Sequence, residues 1–353
     1  MKPLKIGSKT APVPIIQGGM GVGISLANLA AAVANEGGIG VISAAGVGMF
    51  NKESNNFNEK NIIQLRKEIR KAKTMSNGLI GVNIMVALSN FDDLASAAVE
   101  EEVDFIFAGA GLPLNLPSYI TKNSKTKLVP IVSSGRAAKV ITKQWLRKYN
   151  YLPDAFVVEG PKAGGHLGFS IDQLDDENYS LDILLDQVLD VLKPYEETHK
   201  KDIPVIVAGG IYTGQDIHHF LHKGAAGVQM ATKFVTTTEC DASTAFKQTY
   251  IDAKKEDIVY IKSPVGLPGR AINNSFLKDV KKGLKHPVKC PYDCIITCKK
   301  EQAPYCITLA LLNAKIGKLN KGFAFAGVNA YLANKIISVK ELIQNLVKEY
   351  QMV

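Results

Sequence analysis

His166 closes the run Glu159-Gly-Pro-Lys-Ala-Gly-Gly-His. An imidazole with an unperturbed pKa of about 6.5 can take a proton from an acidic carbon or, as a cation, hold an anion; a structural histidine bonded to a loop carbonyl is the plainer alternative. The glycines just before it, Gly164 and Gly165, leave bare backbone that a ligand can approach closely. Similar runs recur along the chain: QGGMGVG from Gln17, AGAG from Ala108, SSG from Ser133, AGGI from Ala208 and QMATKF from Gln229. Main-chain N–H groups at Gly209, Gly210, Gln229, Met230, Ala231 and Thr232 can bind a phosphate without a side-chain cation, and the Thr232 hydroxyl adds a donor. Any one glycine pair makes a tight turn as readily as a cradle. Their joint occurrence is what points to a pocket.

A second cluster is Cys290, Cys294, Cys298 and Cys306, four thiols within seventeen residues at spacing C-x3-C-x3-C-x7-C. If the first part is helical, three of them line one helix face, and a turn at Pro304 returns the fourth to complete a zinc or iron-sulfur ligand set. The spacing matches no common template. Buried cysteines acting as small hydrophobes stand as the competing reading.

The elements that carry these residues alternate from the N-terminus to about position 232. Strands are expected at Val13 to Gln17, Gly40 to Ser43, Leu79 to Met85, Asp104 to Ala108, Leu128 to Ser133, Ala155 to Glu159, Val205 to Ala208 and Val228 to Met230. Helical stretches between them include Ser25 to Glu36, Asn61 to Lys73, Asp92 to Glu101, Arg136 to Lys148, Leu181 to Leu192 and Thr213 to Lys223; only the stretch around Leu114 to Lys122 lacks apolar periodicity. Eight strands in roughly 220 residues fit a closed barrel better than an open doubly wound sheet. The expected fold class is therefore α/β: a (β/α)8 TIM barrel over residues 1–232, completed by 333–353. A smaller, mainly helical cap domain, 233–332, is inserted before the C-terminal helix, Val339 to Tyr350, and holds the four-cysteine segment. In a barrel all the glycine-bearing strand ends meet on one face.

Composition narrows the function class. With 353 residues, 46% hydrophobic and 21% charged, the chain has ample material for one large core. The longest apolar run, Ile24 to Ala34, falls short of the about 20 residues a bilayer needs, and the opening MKPLKIGSKTAP lacks an apolar signal segment. No membrane association and a cytoplasmic location are the expectations. The net charge of +9 comes from scattered Lys and Arg, with small clusters such as Lys281, Lys282 and Lys285. This pattern reads as a solvated surface, not a nucleic-acid interface, and favours a small anionic substrate.

Five blocks, PIIQGGMGVGIS, GVNIMV, VVEGPKAGGH, IPVIVAGGI and GAAGVQMATKF, closely resemble, in order, the nitronate monooxygenase family, formerly 2-nitropropane dioxygenases, and its sister, enoyl-acyl-carrier-protein reductase II. The resemblance implies an FMN cofactor. Gly18, Gly19 and Met20 would lie against the isoalloxazine ring, with Asn83 at its polar edge and Gly164 and Gly165 passing close. Gly209, Gly210, Gln229, Met230, Ala231 and Thr232 would hold the phosphate end, and His166 matches the catalytic histidine. Glu159 departs from the glutamine of many relatives, and a carboxylate beside a reduced anionic flavin is unfavourable unless neutral or paired.

The leading expectation is oxidation of alkyl nitronates with O2 to carbonyl compounds and nitrite. The alternative is NAD(P)H-dependent reduction of enoyl thioesters or quinones, and a phosphate-binding barrel without turnover is the reading from outside enzymology. A homodimer is compatible with any of these. The loop SPVGLPGRAINN resembles the family's segment over the flavin. Its Arg270 either meets an anion or anchors a loop. The later run FAFAGVNAY would bring Asn329 and Tyr331 to the pocket mouth.

Overall fold

The computed structural model describes residues 1–285, 290 and 292–353. The chain opens with a small antiparallel hairpin, β1 (Leu4–Ile6) and β2 (Lys9–Ala11), turned at Gly7. The barrel strands follow: β3 (Ile15–Gln17), β4 (Ile39–Ser43), β5 (Leu79–Met85), β6 (Phe105–Gly109), β7 (Lys127–Val132) and β8 (Phe156–Glu159). After a two-residue strand, β9 (Gly165–His166), come β10 (Val205–Ala208) and β11 (Gly227–Met230). All eight barrel strands pair in parallel, and β11 pairs with β3 to close the ring.

Period-two alternation builds this barrel. Ile16, Val41, Phe105, Phe107, Val157 and Ile206 form one buried cluster inside it. Their neighbours of opposite parity, Ile15, Ile42, Ile106, Phe156, Val158, Val205 and Val207, join the larger cluster shared with the helices. A pleated strand sends successive side chains to opposite faces, so both faces of each strand are apolar here. Leu4, Ile6 and Ala11 of the opening hairpin belong to the interior cluster. The hairpin therefore closes the end of the barrel away from the glycine-bearing loops.

The surrounding helices are α1 (Ala27–Asn35), α2 (Phe57–Met75), α3 (Phe91–Glu100), α4 (Gly135–Tyr149), α5 (Leu181–His199) and α6 (Gly214–His222). Their starts carry the expected caps. The Ser134 hydroxyl accepts from Ala137 N at 3.2 Å, and Thr213 and Asp216 cap each other reciprocally at the head of α6. α5 runs past the expected end at Leu192 because Pro194 sits on its exposed side, where water can satisfy the carbonyl left without an N–H partner. The aperiodic stretch after β6 forms only a 3-10 turn, Leu116–Tyr119. No helix among the described residues is long and apolar enough to cross a membrane.

After β11 the chain makes α7 (Thr232–Val235) and α8 (Thr244–Asp252), and the inserted lobe, mainly helical, adds a strand hairpin that the sequence reading did not expect. β12 (Ile258–Lys262) and β13 (Pro268–Ile272) form an antiparallel hairpin, and β13 also pairs with β9. Part of the run read as a Pro- and Gly-bearing connection, SPVGLPGR, is thus strand, because a proline at the first strand position forfeits no interior ladder bond. α9 (Ser275–Lys281) and α10 (Ile307–Lys315) complete this region. Val265, Ala271, Phe276, Leu277, Tyr305, Ile307 and Phe323 give it a buried cluster of its own.

The last helix, α11 (Val339–Gln351), returns to the barrel wall, packing on α6 and α1. Its Glu349 carboxylate accepts from Gly214 N at 2.7 Å. Leu346 on this helix is fully buried. Leu346→Ala should lower unfolding stability by about 2–5 kcal/mol in urea denaturation, the cost of a core cavity, and a change below about 1 kcal/mol would show that α11 does not complete the wall.

Candidate functional site

The carboxyl ends of the barrel strands surround a cavity of about 470 Å³. Its lining brings together Gly18, Gly19, Met20, Asn83, Glu159, Gly164, Gly165, His166, Gln229, Ala231 and Thr232 from loops far apart in sequence. Leu267, Leu311, Phe325 and Ala326 cover it from the inserted region. Most of the wall is apolar, with few polar groups, as in small-molecule sites generally.

Three of the expected residues are placed otherwise. Met230 is 2% exposed and packs in the barrel-to-helix core, because β11 alternates and its neighbour Gln229 takes the cavity side. Gly209 (φ +96°) and Gly210 (φ +88°) follow β10 in a left-handed turn beside the cavity lining. A Cβ at Gly209 would meet the Gly160 carbonyl oxygen at 2.8 Å, so only glycine fits. The N–H groups of Gly209, Gly210 and Ala231 have no hydrogen-bond partner among the described residues. The Thr232 hydroxyl accepts from Gly327 N at 2.9 Å and keeps its own proton available to donate.

The run FAFAGVNAY folds over this corner. Asn329 Nδ2 donates to Gly210 O at 2.7 Å, and Val328 N donates to Lys162 O at 3.2 Å. Neither Asn329 nor Tyr331, both expected at the pocket mouth, lines the cavity itself.

On the floor, Gly18 N donates to Met230 O at 2.9 Å. The buried Gln17 side chain accepts from Val41 N at 3.0 Å, fixing the turn out of β3. A Cβ at Gly19 would lie 2.4 Å from Asn83 Cβ. The bare backbone therefore lets the Asn83 amide reach the cavity edge. These features fit the flavin mononucleotide that the sequence resemblance implies: a side-chain-free floor, a polar edge at Asn83, and unpaired N–H groups with a hydroxyl where a phosphate would sit.

His166 lies on β9, opposite Gly269 of β13. Its Nε2 hydrogen-bonds with the Ser263 hydroxyl at 2.7 Å, and its ring meets Phe325 edge to face at 4.9 Å. Burial pushes its pKa down to about 4, since no carboxylate stands by to hold the cation. Desolvation therefore favours the neutral imidazole, the form that can serve as a base or a hydrogen-bonding group. Glu159, at the end of β8, makes no side-chain hydrogen bond among the described residues, and burial raises its pKa to about 7. The same desolvation thus favours the uncharged form of both His166 and Glu159 near pH 6.

Arg270 does not enter the cavity. It is 3% exposed, and its Nη1 donates to the carbonyls of Pro161 at 2.7 Å and Ala163 at 2.5 Å. Its Nη2 donates to Tyr260 Oη at 3.0 Å. Of its two expected roles the guanidinium takes the loop-anchoring one, holding the turn that leads to Gly164, Gly165 and His166. Sequence reading missed Ser263 and Phe325 as partners of His166, although both lie in runs already singled out. Only the pairing of β13 with β9 brings them there.

Cys290, Cys294 and Cys298 do not line the helix face expected for them. The segment from Cys290 to Cys306 is built of turns in its described part, and its backbone bonds are spent on docking: Ser89 N donates to Cys294 O at 3.2 Å and Ile296 N to Ala87 O at 2.9 Å. Among the described residues, no three His, Cys, Asp or Glu side chains are already closed around a common point as a metal set.

Comparison with known proteins places this geometry in context. The family model described as nitronate monooxygenase matches residues 2–101 and 89–349. A probable nitronate monooxygenase from Staphylococcus aureus is 28% identical over 298 residues, covering 76% of this chain and 77% of that one. A (3aS,4S,5R,7aS)-5-hydroxy-7a-methyl-1-oxo-octahydro-1H-indene-4-carboxyl-CoA dehydrogenase from Rhodococcus jostii is 26% identical over 268 residues, 76% of this chain; the match spans 65% of that relative, slightly under two thirds of its length. Among solved structures, FabK from Thermotoga maritima superposes with a TM-score of 0.73 at 27% identity, covering 96% of this chain and 93% of that one.

The pKa of His166 carries a direct test. The unfolded chain protonates this group near 6.5 and the folded chain near 4, so its contribution to stability is lost as pH falls through that window. A histidine NMR titration, assigned with His166→Gln, should show one ring titrating near pH 4. A midpoint near 6.5 would show that the imidazole is solvated or paired.

Proposed function

The chain belongs to the nitronate monooxygenase family, and from that membership we propose that it is an FMN-dependent oxidoreductase that oxidises alkyl nitronates with O2 to carbonyl compounds and nitrite. The observation that carries the reading is the neutral imidazole of His166 facing a mostly apolar cavity whose floor is bare backbone.

The cofactor, when bound, supplies the redox chemistry between the organic substrate and oxygen. The chain supplies the rest. Gly18, Gly19 and Met20 would support the ring, and Asn83 would meet its polar edge. The N–H groups of Gly209, Gly210 and Ala231, with the Thr232 hydroxyl, would hold the phosphate. His166 Nε2 is bonded to the Ser263 hydroxyl, which orients the ring. A neutral nitroalkane entering this dry cavity can lose its α-proton to the unprotonated imidazole, and the nitronate then forms beside the cation that results. Glu159, held largely uncharged up to about pH 7, does not repel that anion; as pH rises through its pKa, the repulsion returns. The positive net charge of the chain favours approach of a preformed nitronate.

A second reading is NAD(P)H-dependent reduction of an enoyl thioester or a quinone on the same barrel. The superposition on FabK over 96% of the chain favours it, as does the apolar cover of Leu267, Leu311 and Phe325, which suits an acyl chain.

Anaerobic addition of an alkyl nitronate to the purified yellow protein should bleach the flavin absorbance. His166→Gln should slow bleaching by the parent nitroalkane by about 10²–10⁴-fold, the usual weight of a positioned base, while leaving bleaching by preformed nitronate less affected. Bleaching by NADPH or NADH alone, with none by nitronate, would transfer the assignment to the reductase. A colourless protein that takes up no flavin would reject both.

A further inference from the structure

The thiols of Cys290, Cys294, Cys298 and Cys306 take no part in the cavity described above, yet all four line a second, separate one. They reach it from successive turns of one docked segment. The Leu88–Ile295 bridge fixes this segment against the loop after β5, and the Thr297 hydroxyl donates to Val265 O at 2.8 Å. Cys306 stands at the head of α10, where its carbonyl accepts from Ala310 N at 3.0 Å. Cys294 is buried, with its sulfur 3.1 Å from the Thr308 hydroxyl. The other three are only half-buried, and none of the four is in a disulfide. Small hydrophobes filling a core would be fully enclosed, as Cys240 is. Four thiols sharing one partly open hollow call for a different explanation.

As it stands the hollow has a volume of about 20 Å³, room for one water-sized sphere, which favours a single ion over a cluster of several iron and sulfur atoms. The sulfurs are not yet closed on one point. A rotation about χ1 moves a cysteine sulfur by about 3 Å, enough to draw the four thiols onto an ion.

We propose that Cys290, Cys294, Cys298 and Cys306 form a tetrathiolate site for a single thiophilic divalent ion, zinc, that fastens this segment to the barrel. Binding releases the four thiol protons and leaves a site of net charge −2 without any change of oxidation state. Lys300 and Asp293 also line the hollow and are paired with each other, so they leave its net charge unchanged. The ion would tie the loop after β5 to the turn at Val265, two residues from the Ser263 that holds His166. It would act as a structural clamp, and the site is independent of the flavin reading.

The full chain, purified without a metal-binding tag or chelator and under nitrogen, should contain about one zinc per chain by mass spectrometry of the elements. After zinc is displaced with a mercurial and the thiols are restored, cobalt(II) should give the visible d–d bands and thiolate charge-transfer absorbance of a tetrahedral sulfur site. The double variant Cys290→Ser, Cys298→Ser should hold at least about tenfold less zinc, and Cys240→Ser should hold as much as the parent. Zinc at background with no cobalt spectrum in the unaltered protein would overturn the proposal. So would iron with inorganic sulfide, a disulfide among the four in the nitrogen-purified chain, or zinc retained equally by a folded double variant.

Discussion

A guanidinium buried on main-chain carbonyls is the constraint on which the site depends. Arg270 is almost wholly enclosed and, among the described residues, no carboxylate pairs with it; the carbonyls of Pro161 and Ala163, with the Tyr260 hydroxyl, accept hydrogen bonds from it. Removing such a charge from water costs several kcal/mol unless its donors find acceptors, and the loop after β8 supplies two of them. The same residue lies on β13, opposite Gly165 of β9. Its carbonyl accepts from Ala326 N at 3.0 Å, which seats the Phe325 segment beside the imidazole. One side chain thus joins the barrel, the inserted hairpin and the closing segment at His166.

The second physical theme is desolvation without compensation. His166 and Glu159 face the same apolar-walled cavity, and burial moves their pKa values in opposite directions, toward the uncharged form in each case. A cavity without fixed charge exerts little pull on an ion, but it strengthens whatever charge forms inside it. Proton transfer to the imidazole would there create a closely held ion pair. A glutamate at position 159, where the resemblance implies a glutamine, is then tolerable, since a protonated carboxyl presents a donor and an acceptor much as an amide does.

Much of this was legible in the sequence. The eight barrel strands stand at the apolar runs, most of which end in glycine or another small residue, because a strand buried on both faces needs continuous Val, Ile and Phe, and the bare residues after it mark the ligand face. The elements that escaped are short or depend on partners. Leu4–Ile6 and Lys9–Ala11 are three-residue strands whose identity comes from plugging the barrel. The hairpin of Ile258–Lys262 and Pro268–Ile272 hides behind prolines and glycines that usually break structure, and its pairing with Gly165–His166 spans about a hundred residues. The helical reading of the cysteine segment failed for a related reason. Its spacing matches a helix face, but its backbone bonds go to Ala87 and Ser89 of a distant loop. The cavity-side role of Gln229 over Met230 is legible only once strand parity is known.

The account's central claim is that the Arg270 fork holds the β8-to-β9 turn, and with it the imidazole, in place. Amide hydrogen exchange in Arg270→Lys, which keeps the charge and loses the fork, tests it most directly. The Leu167 amide, bonded to Pro268 O, and the Ala326 amide, bonded to Arg270 O, should exchange about tenfold or more faster than in the parent, with the barrel strands unchanged. Unaltered exchange at those two amides, or equal acceleration throughout the barrel, would contradict it.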